Sequence, residues 1–166
     1  DLKPDNILID ERGNAYLTDF GIAKQITQDS LESKTEGIKG TFAYLSPEQI
    51  QEQAVSPQTD IYAFGVMLYE MLAGKHPYQD TPVAMMVMKH LQEAIPDIRE
   101  LREDLQPDIN DIIQKATAKS PDDRYASTLD LVAELKQAIS GAPRTESQPV
   151  TLPIKKPTTA EERNRQ

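Results

Sequence analysis

Between residues 57 and 73 lies the stretch that most constrains the fold of this chain. Ile61, Tyr62, Phe64, Val66, Leu68, Tyr69, Met71 and Leu72 put apolar side chains on nearly every side of a helix ending before Gly74. A helix without a polar face has to be buried on all sides, so other elements must wrap around it. The helix is opened by Ser56-Pro57, a capping residue followed by proline at the first helical position, and the same pair recurs as Ser46-Pro47 and Thr81-Pro82. Further helices are predicted near 81–93, 107–118 and 127–140, the last begun by Ser127-Thr128-Leu129-Asp130, which has capping-box form. The wrapping is therefore expected to be helical. On the 81–93 helix, Val83, Met86, Val87, His90 and Leu91 form a stripe that reads as core.

With 166 residues the chain can form one self-sufficient core, and the absence of Cys excludes disulfides, Cys-ligated zinc and thiol nucleophiles. It also points to a reducing compartment, and a cytoplasmic location is expected. Lys and Arg number 18 against 27 Asp and Glu, a net charge of −9. The acidity is concentrated: residues 1–140 carry 13 basic against 24 acidic side chains (−11), and 141–166 carry five against three (+2). So acidic a body repels nucleic acid, which is not expected as a partner. Glu70 interrupts the apolar run 61–72, which is shorter than the roughly 18–20 residues of a membrane span. After Ser140, closely spaced Pro143, Pro149, Pro153 and Pro157 predict a disordered Pro/Thr-rich linker or juxtamembrane tail.

At the other end, 6–9 and 15–18 are two short β-prone runs joined by the turn formers of 10–14, which predicts a hairpin. Asp1-Leu2-Lys3-Pro4-Asp5-Asn6 precedes the first run and Asp19-Phe20-Gly21 follows the second. A hairpin brings these two ends together, so Asn6 and Asp19 can converge although they are distant in sequence. Two such oxygen donors beside a lysine suit a hard cation such as Mg²⁺, which completes its shell with phosphate and water. The segment 22–45 has no sustained period, and an unpatterned stretch of that length is usually functional.

On these residues the chain resembles the eukaryotic-like protein kinases, specifically the C-terminal lobe of bacterial serine/threonine kinases, over 1–140. The catalytic loop D-L-K-x-x-N stands as Asp1 to Asn6 and the D-F-G motif as Asp19-Phe20-Gly21, followed by Gly40-Thr41 and Ser46-Pro47-Glu48. The resemblance implies a mainly α fold with one small β-hairpin, the kinase C-lobe, and protein Ser/Thr phosphorylation from ATP. It makes Asp1 the base for the acceptor hydroxyl, Lys3 the neutraliser of the γ-phosphoryl group, and Asn6 and Asp19 the ligands of Mg²⁺, or of Mn²⁺ in its place. Thr41 is similar to the threonine that bonds the catalytic Asp and Lys, and the segment to Tyr44 lines the substrate groove. Residues 22–45 resemble the activation segment, with Thr27, Ser30, Ser33 and Thr35 as acceptors and Thr35, then Ser33, matching the phosphorylated position best. Glu48 and Arg124 resemble a buried structural ion pair, and Asp60 the aspartate that bonds the catalytic-loop backbone. His76 and His90 match no catalytic position and are expected at the surface or in loops.

Such a kinase also needs a Gly-rich loop, a strand lysine and its glutamate, none of which lies in residues 1–166. The resemblance thus implies an N-terminal lobe upstream, and a chain that alone binds ATP poorly and transfers no phosphate. Protein substrates, a homodimer for trans-autophosphorylation, and a membrane anchor only outside this chain fit the same picture. The competing readings are a pseudokinase scaffold, often lacking Asp1, Asn6 or Asp19, and a related small-molecule phosphotransferase.

Overall fold

Helix α2 (Pro57–Ala73) forms the centre of the fold, with Ile61, Tyr62 and Val66 completely buried. It ends where Gly74 adopts the left-handed conformation (φ 70°) and donates its N–H to the Glu70 carbonyl at 2.8 Å. A computed structural model describes residues 2–19, 40 and 42–141. Before α2 come a two-stranded antiparallel sheet, β1 (Ile7–Ile9) and β2 (Ala15–Leu17), and the one-turn helix α1 (Pro47–Ile50). After it come α3 (Val83–Gln92), α4 (Pro107–Ala116) and α5 (Thr128–Ser140), with 3₁₀ turns at Ile98–Glu100 and Pro121–Asp123. Helix α2 packs on α4 and on both 3₁₀ turns, α5 packs on α4, and α3 packs on α1. This is the mainly helical fold with a small hairpin that the sequence predicts, although Met71 in the last turn of α2 is exposed.

The α2–α4 packing relies on a missing side chain. A Cβ at Gly65 would lie 2.7 Å from Thr117 Cγ2 and 2.9 Å from Ala116 Cβ. Alanine in a helix interior normally gains about 1 kcal/mol over glycine. Here the helices must separate, and overpacking of this kind costs about 1–3 kcal/mol. Gly65→Ala is therefore expected to lower the urea midpoint, and a raised midpoint would show that the two helices part freely.

Two expectations are corrected. Thr81 does not cap α3: Pro82 holds the cap position without a side-chain bond, because Thr81 closes a turn on the Tyr78 carbonyl (3.2 Å) after Asp80 at φ 64°. His90 is not at the surface. It is fully buried with Met86 on the inner face of α3, while Val83, Val87 and Leu91 are half-buried. Its Nδ1 lies 2.9 Å from the Tyr62 hydroxyl and its ring meets Tyr78 edge-on at 5.0 Å.

Burial pushes the His90 imidazole down to about 3; His76 and Lys119 act in the same direction and the Ala43 carbonyl opposes them. In the unfolded chain a histidine titrates near 6.5, so between pH 6.5 and 3 only the unfolded state takes up this proton. The stabilisation from His90 is complete above pH 6.5 and falls by about 1.4 kcal/mol per unit below it, a loss of about 2 kcal/mol at pH 5. Denaturation series at pH 7, 6 and 5 should show that slope, and His90→Asn should flatten it. Equal slopes in both proteins would mean that His90 charges freely in the folded state.

Candidate active site

Pro4 starts a 3₁₀ turn, Pro4–Asn6, entered from Lys3 in an extended conformation and closed by the Asn6 N–H on the Lys3 carbonyl at 3.0 Å. The turn buries Asn6 and leaves Lys3 half-buried. β1 then pairs with β2 in the register Ile7 with Leu17, Leu8 with Tyr16 and Ile9 with Ala15. Asp10 fixes the connection. Its carboxylate accepts from the Arg12 and Asn14 amides (2.9 and 2.8 Å), from Asn14 Nδ2 (2.9 Å) and from the Tyr16 hydroxyl (3.2 Å). The Asn14 bonds foremost hold it below the usual carboxylate range.

One step beyond the strands, Thr18 donates to the Asn6 carbonyl through its N–H (2.8 Å) and its hydroxyl (3.2 Å). The register thus sets the buried Asn6 beside the exposed Asp19, whose backbone is left-handed at φ 53°. Among the described residues no cluster of three or more His, Cys, Asp or Glu could hold an ion alone. An amide oxygen and a carboxylate fit Mg²⁺, which takes few protein oxygens and the rest from phosphate and water. Asp1, Phe20, Gly21, Thr27, Ser30, Ser33, Thr35 and Thr41 lie outside the described residues, as does the tail from 142.

Beside the loop is a cleft of about 180 Å³ whose walls include Pro4, Asp5, Tyr44, Glu70 and His76. The Tyr44 hydroxyl donates to Glu70 Oε2. Burial and then Glu70 push the Tyr44 phenol up, so it remains a neutral donor. Tyr44 was read from the sequence as a groove residue. Glu70 was seen only as a break in an apolar run, and a lone acid inside such a helix is the signal that could have placed it here. Asp60, exposed in the first turn of α2, borders a smaller cleft that Leu2 and Tyr44 also line.

Glu48 on α1 and Arg124 after the 3₁₀ turn Pro121–Asp123 meet in a two-pronged pair, Nη1 to Oε1 and Nη2 to Oε2, both 2.7 Å. Both side chains are almost completely buried. Arg124 also donates to the carbonyls of Ala118 (2.7 Å), Gln58 (2.9 Å) and Lys119 (3.1 Å), so all five of its N–H groups are used. Thr59 accepts the Ser56 N–H (3.2 Å) and donates to Glu48 Oε1 (2.8 Å). Burial raises the Glu48 pKa, but Arg124, aided by Thr59, outweighs it and holds the carboxyl at about 2.

Residues 1–137 match the family described as the protein kinase domain. The chain belongs to the protein kinase family. It is 38% identical over 138 residues to the serine/threonine-protein kinase PrkC of Bacillus subtilis, covering 83% of this chain and 21% of that protein. It is 36% identical over 140 residues to the probable serine/threonine-protein kinase PknB of Lactococcus lactis, covering 84% and 22%. With the serine/threonine-protein kinase PknL of Mycobacterium tuberculosis it shares 35% over 136 residues, covering 82% and 34%. The kinase chain thus spans about a fifth to a third of the length of these relatives. No helix among its described residues is long and apolar enough to cross a membrane.

Proposed function

We propose that this chain is the catalytic-loop and acceptor-binding part of a bacterial serine/threonine protein kinase that transfers the γ-phosphate of ATP to protein Ser and Thr. The observation that carries this reading is the hairpin register, which bonds Asn6 to Thr18, the residue before Asp19, while Asp5, the residue before Asn6, lines the cleft with Tyr44 and Glu70. The acceptor hydroxyl gives its proton to the Asp1 carboxylate as its oxygen bonds to the γ-phosphorus. The bond to the β-phosphate oxygen breaks and ADP leaves with that electron pair. Lys3 neutralises charge on the transferring group, while Asn6 and Asp19 would hold Mg²⁺. When bound, that ion would supply charge neutralisation to the phosphates. The acceptor lies in the cleft, Thr41 positions the base and lysine, and Asp60 and the Glu48–Arg124 pair support the loop. Phosphate on Thr35, or on Ser33, orders the activation segment.

The exposed Leu8, Ile9, Tyr16 and Leu17 leave the hairpin with an uncovered apolar surface, which supports a lobe packing there in the intact enzyme. The 166-residue chain alone is then expected to transfer no phosphate. The intact enzyme works in the cytosol on protein acceptors, pairs with a second copy for trans-autophosphorylation, and meets a membrane only through a segment outside this chain. The test is phosphotransfer from ATP by the full-length protein onto a generic acceptor protein. Labelled Ser and Thr, lost when Mg²⁺ is chelated, are expected. No transfer by a protein already phosphorylated on Thr35 would establish a pseudokinase scaffold instead.

A further inference from the structure

His76, in the connection from α2 to α3, matches none of the proposed phosphoryl-transfer residues, yet it lines the cleft and is bonded through both ring nitrogens. Nδ1 accepts the Tyr78 N–H at 3.1 Å and Nε2 lies 2.9 Å from the Ala43 carbonyl. These partners settle the tautomer: Nδ1 bears the lone pair and Nε2–H donates to Ala43. The ring also meets the Tyr44 ring edge-on, with centroids 5.5 Å apart and planes at 86°. Tyr44 is thus held at its ring by His76 and at its hydroxyl by Glu70.

The support behind His76 is itself fixed. Tyr78 is buried, its hydroxyl donates to the Glu93 carbonyl at 3.3 Å and its ring packs on His90. Lys3, Asn6 and Asp19 belong to the catalytic loop and the hairpin, on a different part of the chain.

We infer that His76 is a positioning residue for the acceptor: it joins the Ala43 carbonyl and the Tyr44 ring to the core, so that one wall of the cleft is set before the acceptor arrives. The inference rests on reading the cleft as the acceptor site. With that wall pre-set, the acceptor does not have to order it on binding, which is where affinity is gained. His76 therefore governs how tightly an acceptor is held and leaves the chemical step to residues elsewhere.

Two variants separate its nitrogens. Gln can place an amide N–H where Nε2–H stood, whereas Ala supplies nothing. In the full-length protein, His76→Ala is expected to raise the KM for an acceptor peptide about three- to tenfold, the size of one hydrogen bond, because of the two it loses only that to the Ala43 carbonyl reaches the cleft wall. Its kcat and its KM for ATP should stay within about twofold of the parent, and His76→Gln should restore the acceptor KM. Hydrogen exchange followed by mass spectrometry should show faster exchange of peptides covering 42–46 in His76→Ala and not in His76→Gln.

A merely structural role gives the opposite pattern, because a smaller folded fraction lowers kcat and leaves both KM values alone. That pattern, or Ala and Gln variants that behave alike, or unchanged exchange at 42–46, would overturn the inference. If the parent itself transfers no phosphate, the kinase reading fails, and the exchange comparison still decides whether His76 holds this wall.

Discussion

Asp19→Asn is expected to lower the kcat of the full-length kinase by about 10²–10³-fold while leaving its thermal unfolding unchanged. The size is that of removing one pre-set electrostatic contact to the transferring group. Asparagine is the informative replacement because Asp19 sits at φ 53°. Among residues with a Cβ, Asp and Asn tolerate the left-handed region best, so the exchange keeps the shape and the backbone and removes only the charge. Alanine would mix loss of the charge with backbone strain. Steady-state transfer across a Mg²⁺ titration, beside a melting curve of each protein, checks both halves. A variant with the parent's rate and Mg²⁺ requirement would show that the cation is not held at Asp19, and one that also melts early would show that the aspartate serves the hairpin end.

The features legible in the sequence are those set by neighbours along the chain. An apolar run with serine-proline at one end and glycine at the other can only be a buried helix, and α2 runs from Pro57 to Ala73 as predicted. The hairpin was legible because its turn chemistry is local, with Asp10 bonding among the described residues only to ones within six positions of itself. His90 reads two ways in the sequence, as part of a core stripe and as a surface or loop residue; the stripe is right, and what decides between them, the Tyr62 hydroxyl, lies 28 residues away. The same holds for the cleft. Asp5, Tyr44 and the pair Glu70 and His76 at the end of α2 come from three separate stretches, and only the tertiary fold brings them to one cleft. Thr81 failed as a cap for a local reason that propensity does not record: Asp80 at φ 64° turns the chain before the helix can start.

Arg124→Ala is expected to destabilise the domain by about 3–5 kcal/mol, a large part of the 5–15 kcal/mol that holds a typical domain folded. The loss comes less from the pair's own attraction than from what its removal leaves behind. Glu48, 2% exposed, would keep a charge faced by its own backbone N–H and the Thr59 hydroxyl but by no cation in place of Arg124, and the carbonyls of Ala118, Gln58 and Lys119 would lose their donor. Lysine should rescue little, since its three donors on one nitrogen cannot reproduce a planar fork that meets five acceptors. The pH dependence carries the mechanism. In the parent, Glu48 is held at about 2, so its contribution is complete above the ordinary carboxylate range, near 4.5, and is lost as pH falls toward 2. Without Arg124, burial, the largest influence on Glu48, is opposed only by its own backbone N–H and the Thr59 hydroxyl, so its pKa rises from the parent's value and the variant can bury a neutral acid as the solution is acidified. The gap between parent and variant in urea denaturation should therefore be widest near pH 7 and narrower at pH 4. Replacing Glu48 and Arg124 together by apolar residues of similar volume should cost less than Arg124→Ala, because no buried charge is left alone. A single-variant loss under about 1 kcal/mol at pH 7, or a gap independent of pH, would mean that water reaches Glu48 and that the pair does not join α1 to the helical base.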